Sequence, residues 1–130
     1  CGSRTATSWA ISDGSGDGNY PNNAVCEWIF VVSNASLLAQ ITFSSFDTEN
    51  GYDIVRVYDC ATDDCSAATQ IRELSGSLGT FVVYATRVMK VRFTSDSSST
   101  RGGFTASFTQ AEFQSSTGRC QMLARPANIP

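Results

Sequence analysis

The chain has 130 residues, nine Lys and Arg against twelve Asp and Glu, a net charge of −3 and no histidine. One domain's worth of chain with 42% hydrophobic residues can bury a real core. Its acidic balance and single lysine, Lys90, exclude a phosphate-neutralising nucleic-acid surface, and it has no run of about twenty apolar residues to span a membrane as a helix.

Along the chain the apolar period is two nearly everywhere, the repeat of a strand with one buried face. Trp28 to Val32 is a continuous apolar run, the pattern of a central strand covered on both faces. Ile41 and Phe43 flank Thr42, and Val55 and Val57 flank Arg56. Phe81 to Tyr84 is a second continuous run with the same expectation. Met89, Val91 and Phe93 alternate with Lys90, Arg92 and Thr94, and Phe104, Ala106 and Phe108 alternate with Thr105, Ser107 and Thr109. Gly-, Asn- and Ser-rich breaks separate these runs, and no helical stripe of useful length occurs. About eight short strands so spaced read as an all-β antiparallel sandwich or jelly roll. Beyond Gln110 the pattern fades, so residues 1–110 are expected to form the domain and 111–130, with Cys120, Pro126 and Pro130, a tail or linker.

The five cysteines are Cys1, Cys26, Cys60, Cys65 and Cys120. Without CxxC pairs or histidine they read as disulfide formers rather than zinc ligands, which implies an oxidising compartment and a secreted protein. A chain beginning at Cys1 lacks an initiator Met and reads as processed or as a segment of something longer. Cys60 and Cys65 flank Ala-Thr-Asp-Asp directly after a strand, where a bridge would close a tight hairpin. Cys120 is the odd one, either a link to another chain or domain or a free thiol. Asn34-Ala35-Ser36 is an N-glycosylation acceptor in a polar turn.

Three carboxylates, Glu49, Asp53 and Asp96, sit at the ends of strand-like runs beside hydroxyls, Gly or Asn. Crowded carboxylates repel; a hard cation such as Ca²⁺, which takes six to eight oxygen ligands, makes the crowding favourable. Asp47-x-Glu49-x-Gly51 lacks the spacing and closing Glu of an EF-hand loop. Catalysis is disfavoured. Without histidine there is no Ser-His or Cys-His pair, Lys90 lies mid-strand, and a glycosidase pair needs opposed carboxylates with one pKa raised.

Taken in order, these residues resemble the CUB domain family. The pattern begins at Cys1-Gly2 and Ile11-Ser12. It continues through the Tyr20-Pro21 turn and Cys26-Glu27-Trp28, the Phe-x-x-Phe-x-x-Glu segment from Phe43 to Glu49, and Tyr52-Asp53-Ile54-Val55-Arg56-Val57-Tyr58-Asp59. It closes with Val91 to Ser98 and Gly103-Phe104-Thr105-Ala106. The resemblance covers about residues 1–110 and implies an extracellular, jelly-roll-like β-sandwich that binds partners. In the calcium-binding subset it implies Glu49, Asp53 and Asp96 as ligands, Tyr20 bracing a ligating carboxylate, and Ser98 contributing its carbonyl. Ser99 stands where many members have Asn, so its side chain departs from the pattern. The resemblance also implies a Cys1–Cys26 bridge. The family's second bridge is missing in both halves, its positions being Asn50-Gly51 and Leu74-Ser75-Gly76. The early Ser-Pro-x-Tyr-Pro motif is altered too, with Asp13-Gly14 in place of its Pro.

The expected function is a secreted, non-catalytic binding or adhesion module. Its Ca²⁺-organised tip either recognises a Lys or Arg on an extracellular protein or is merely stiffened by the ion. One alternative is a structural subunit of an extracellular assembly that uses the tail and Cys120 for self-association or a neighbouring domain. Another is spermadhesin-like glycan binding; Trp9 and Trp28 read first as core residues, with a sugar-stacking platform the alternative for Trp9.

Overall fold

The computed structural model describes residues 5–6, 9–12, 18–34 and 36–112, with side chains from residue 10 onward. Among the described residues nine strands follow one another: β1 Thr5–Ala6, β2 Trp9–Ser12, β3 Val25–Val31, β4 Leu37–Asp47, β5 Ile54–Cys60, β6 Ala68–Leu74, β7 Phe81–Ala85, β8 Val88–Thr94 and β9 Gly103–Glu112. They form two sheets, ordered β1-β3-β8-β5-β6 and β2-β9-β4-β7. All pairings are antiparallel except the two-residue contact of β1 with β3. The all-β sandwich expected from the period-two pattern is therefore the fold, and β9 runs two residues past Gln110 to Glu112.

The core is the set of inward side chains from both sheets. Val55, Val57, Val91 and Phe93 come from one, and Ile41, Phe43, Phe104 and Phe108 from the other. Aromatic pairs lock the layers together: Trp28 and Phe93 meet Phe104 edge-on at 6.0 and 5.3 Å, and Phe30 meets Phe108 in a tilted contact at 4.8 Å. Burying a side chain of this size contributes roughly 1.5–3 kcal/mol, so this inter-sheet layer carries the stability of the sandwich.

Phe43 and Phe46 are both buried although three residues apart, a spacing that a period-two strand cannot accommodate without an extra residue. A bulge supplies it: Phe43 faces Ala106, Ser45 faces Thr105, and Ser44 is the insertion. The Ser44 and Ser45 hydroxyls hydrogen-bond to Thr105 Oγ1 at 2.7 and 2.9 Å. The bulge re-phases the strand, so that Phe46 and Thr48 turn inward and Glu49 arrives at the end of the sandwich where Asp53 and Asp96 also emerge.

Two expectations about strand position fare differently. β3, which carries most of the Trp28–Val32 run, is an inner strand. Among the described residues Phe81–Tyr84 does not form a central strand: β7 ends its sheet, with Val82 38% and Tyr84 53% exposed. Its run is continuous because Phe81 and Val83 face the core while two further apolar side chains point outward.

The Cys60–Cys65 bridge is present, with Cα atoms 4.9 Å apart, inside the usual disulfide span. Together with Val88 it caps a small cluster against Ile29, Val31 and Tyr58, at the end of the sandwich opposite Asp53. Cys26 is disulfide-bonded; Cys1, its expected partner, lies outside the described residues, as does Cys120. Where the family's second bridge is missing, hydrogen bonds stand instead. The Ser75 hydroxyl donates to Asn50 Oδ1 at 3.3 Å and accepts the Gly51 N–H at 3.0 Å.

Candidate metal centre

Three loops converge at one pole: residues 19–24 before β3, 48–53 between β4 and β5, and 95–102 between β8 and β9. They are cross-tied by backbone bonds. Asn23 N–H reaches Asp96 O at 2.8 Å, Tyr20 N–H reaches Arg101 O at 3.2 Å, and Ser95 N–H reaches Ala24 O at 3.1 Å. Ser95 Oγ adds a donor bond to Pro21 O at 2.7 Å and accepts Ala24 N–H at 2.8 Å. Asn23 sustains its tight turn with φ +58°, a conformation asparagine tolerates better than most residues.

Asp53 lies at the centre and is fully buried. Its Oδ2 accepts the Tyr20 hydroxyl at 2.6 Å and its Oδ1 accepts the Asp96 N–H at 2.8 Å. The Tyr20 oxygen in turn accepts the Glu49 N–H at 3.0 Å, and the ring packs edge-on against Phe93. One phenol thus links the backbone of Glu49 to the carboxylate of Asp53. Thr48 latches the loop from beneath: its hydroxyl donates to Asp53 O at 2.8 Å and accepts Gly76 N–H at 3.1 Å. Gly76 sits at φ +90°, and a Cβ there would lie 3.1 Å from Asn50 Oδ1.

Glu49, Asp53 and Asp96 each present a carboxylate oxygen within 4.8 Å of the others. Among the described residues, no Lys or Arg forms an ion pair with any of them. Glu49 Oε1 is buried with no hydrogen-bond partner, a costly arrangement for a carboxylate unless a cation or proton fills it. Consistent with this, burial pushes the Glu49 carboxyl above its ordinary value. The charges of Asp96 and then Asp53 push the same way, and Arg101 opposes them weakly. Burial and the Asp53 hydrogen bond raise the Tyr20 phenol, which stays a donor across all ordinary pH.

The structure therefore brings Glu49, Asp53, Asp96 and Tyr20 together. Ser98 is tied to the site by its N–H, which donates to Asp96 Oδ1 at 3.2 Å. Ser99 follows with φ +64°, so the Asn common at this family position matches a left-handed backbone. Asn34 lies apart at the other pole; it is exposed, and its Oδ1 accepts from Ser36 N–H at 2.9 Å. Trp28 is core, while the Trp9 side chain lies outside the described residues. Sequence reasoning missed Thr48 and Asn23. Only the Phe43–Phe46 spacing carried a signal for how Glu49 is delivered.

Fold and site together define an extracellular-type β-sandwich binding module with an acidic tip. Residues 1–108 match the CUB domain, and the chain belongs to the CUB family, whose members are typically non-catalytic extracellular modules for binding and adhesion. Human tolloid-like protein 2 is 32% identical over 104 residues, covering 76% of this chain and 10% of that protein. The chain thus spans about a tenth of the length of the curated relatives it matches. Among solved structures, the extracellular region of zebrafish Gpr126/Adgrg6 superposes with TM-score 0.71 at 26% identity, covering 85% of this chain and 14% of that one. The MASP-1 CUB2 domain bound to Ca²⁺ superposes with TM-score 0.68 at 16% identity, covering 83% of this chain and 96% of that one, a likeness of fold.

Proposed function

We propose that this chain is a secreted binding module whose tip holds Ca²⁺ and, through it, receives a Lys or Arg side chain of an extracellular protein. One observation carries the reading: three carboxylates meet within 4.8 Å while Glu49 Oε1 is buried without a partner. The donor set is oxygen alone, which suits Ca²⁺. Glu49, Asp53 and Asp96 would hold the ion by their side chains, with Ser98 through its carbonyl and Ser99 beside it, and Tyr20 would brace Asp53. The fold shared with a Ca²⁺-bound CUB2 domain supports the choice of ion. Bound Ca²⁺ supplies the positive charge that fixes the acids. Their remaining lone pairs then accept an incoming ammonium or guanidinium as charge-assisted hydrogen bonds. Residues 1–110 form the binding domain in this reading, and 111–130 a tail.

The test is retention on an immobilised Lys-containing peptide. Binding in Ca²⁺, release by EDTA and loss in Asp96→Ala are expected; equal retention in EDTA would show that the tip is not the interface.

A further inference from the structure

We infer that Asn50-Gly51 is a dormant succinimide site, which the Ser75 hydroxyl holds closed to spontaneous deamidation while residues 74–76 stay docked on residues 48–53. This rests on the two loops and not on the metal.

Asn-Gly occurs once in the chain, at one of the two places where the family's second disulfide is missing. It is therefore a feature of this chain rather than of the family pattern. Asparagine is thermolabile, most of all before glycine, where no Cβ shields the next backbone amide. The Gly51 nitrogen gives up its proton to solvent base and attacks Asn50 Cγ. The new C–N bond closes a five-membered imide, and the side-chain nitrogen leaves as ammonia, taking up a proton. Water then opens either ring carbonyl, to aspartate or to isoaspartate, in which the main chain runs through the former side chain. Asn50 and Gly51 are both exposed, so water reaches them.

The protection is geometric. Tyr52 N–H bonds Glu49 O at 3.2 Å, and Gly51 has φ +85° while Asn50 is not left-handed. These mark a type II turn, in which Asn50 takes a ψ of about +120°. Ring closure needs a ψ of opposite sign, so the Asn50-Gly51 peptide plane must flip before Cγ and nitrogen can bond. Ser75 opposes that flip from both ends. Its oxygen accepts the Gly51 N–H at 3.0 Å, and its hydroxyl donates to Asn50 Oδ1 at 3.3 Å. The attacking nitrogen and the attacked carboxamide are thus tied to one side chain of another loop. Gly76 walls the carboxamide in, since a Cβ there would stand 3.1 Å from Oδ1 and 3.6 Å from Cγ. Thr48 keeps the loops docked: its N–H bonds Gly76 O at 3.0 Å and its hydroxyl accepts the Gly76 N–H at 3.1 Å.

The place of the site gives it a consequence. Conversion puts a further carboxylate between Glu49 and Asp53 in sequence and, as isoaspartate, one more backbone carbon between them. Opening of the loops is then recorded irreversibly in the segment that carries two of the three acids.

The test is ageing of the full chain in neutral buffer with EDTA, with tandem mass spectrometry counting conversion of the amide to the acid at residue 50. The folded chain should convert far more slowly than the same chain in urea, a comparison that needs no variant. Ser75→Ala should convert about tenfold faster than the parent, because losing one hydrogen bond raises the open population by roughly that factor. Ser75→Thr, which keeps the hydroxyl, should stay near the parent, with near-ultraviolet circular dichroism checking that each protein is folded. Equal rates in the folded and urea-unfolded parent would overturn the proposal. So would a folded Ser75→Ala that ages no faster than the parent.

Discussion

The Tyr20 hydroxyl donates to Asp53 Oδ2 at 2.6 Å across 33 residues of sequence, in a fully buried contact. The same oxygen accepts the backbone N–H of Glu49, so one phenol sets the positions of two of the three acids. Tyr20→Phe should leave a buried carboxylate short of a donor and the Glu49 N–H unpartnered. A loss of about 1–3 kcal/mol in metal-free stability is expected, read by chemical denaturation, with weaker Ca²⁺ binding. Because the phenol's pKa is raised, its contribution is complete below the ordinary tyrosine value and is lost as pH rises through the raised one. In an ultraviolet titration, one of the four tyrosines should ionise after the rest, and that component should vanish in Tyr20→Phe.

Glu49 sets a second pH dependence. Its carboxyl is raised by burial, then by Asp96 and Asp53, so the folded metal-free chain favours its protonated form. Its contribution is therefore present below the ordinary glutamate value, about pH 4, and lost as pH rises through the raised value. Asp64 runs the other way: the Thr62 hydroxyl and Ser66 N–H lower its pKa, and its contribution is lost as pH falls. Glu49→Gln isolates the first effect. In EDTA the variant should match the parent at acid pH and melt higher than it near neutrality, yet lose its response to Ca²⁺. A melting curve in EDTA no less pH-sensitive in the variant would show that Glu49 is not the strained acid.

Ser99 holds φ +64°, a conformation that costs a residue with a Cβ about 1–2 kcal/mol, less for Asn. Ser99→Asn should therefore stabilise the chain by roughly 0.5–1 kcal/mol and sharpen Ca²⁺ affinity if the new amide oxygen joins the site. A destabilised variant would contradict the backbone assignment.

The hydrogen bond between Ser75 and Asn50 occupies the place of the family's second disulfide. Asn50→Cys combined with Ser75→Cys should oxidise to a new bridge and raise stability by about 3 kcal/mol for a loop of this length. Mass spectrometry and thiol counting read the bond directly. Two persisting free thiols in the folded protein would show the loops to be further apart than described.

How much of this was legible follows from which signals are local. Alternation such as Met89, Val91, Phe93 reports one buried face and placed the strands. Alternation says nothing about where a strand sits in its sheet, and so Phe81–Tyr84 read as central although β7 is an edge. The acids were legible as crowded loop-end carboxylates beside hydroxyls, Gly or Asn, and the resemblance joined Tyr20 and Ser98 to them, since Glu49 and Asp96 are 47 positions apart (96 − 49). The bulge at Ser44 was written in the three-residue step between Phe43 and Phe46, whereas Thr48 has no local mark: its latch to Asp53 O and Gly76 exists only once three loops have met.

The central claim is tested most directly by calorimetric melting in EDTA and in millimolar Ca²⁺, with Asp96→Ala in parallel. Linkage predicts a stability rise of RT ln(1 + [Ca²⁺]/Kd), about 2.7 kcal/mol at a hundredfold excess over Kd. The account predicts that rise in the parent chain and none in Asp96→Ala, which should remain folded. Identical melting of the parent chain with and without Ca²⁺ would contradict it.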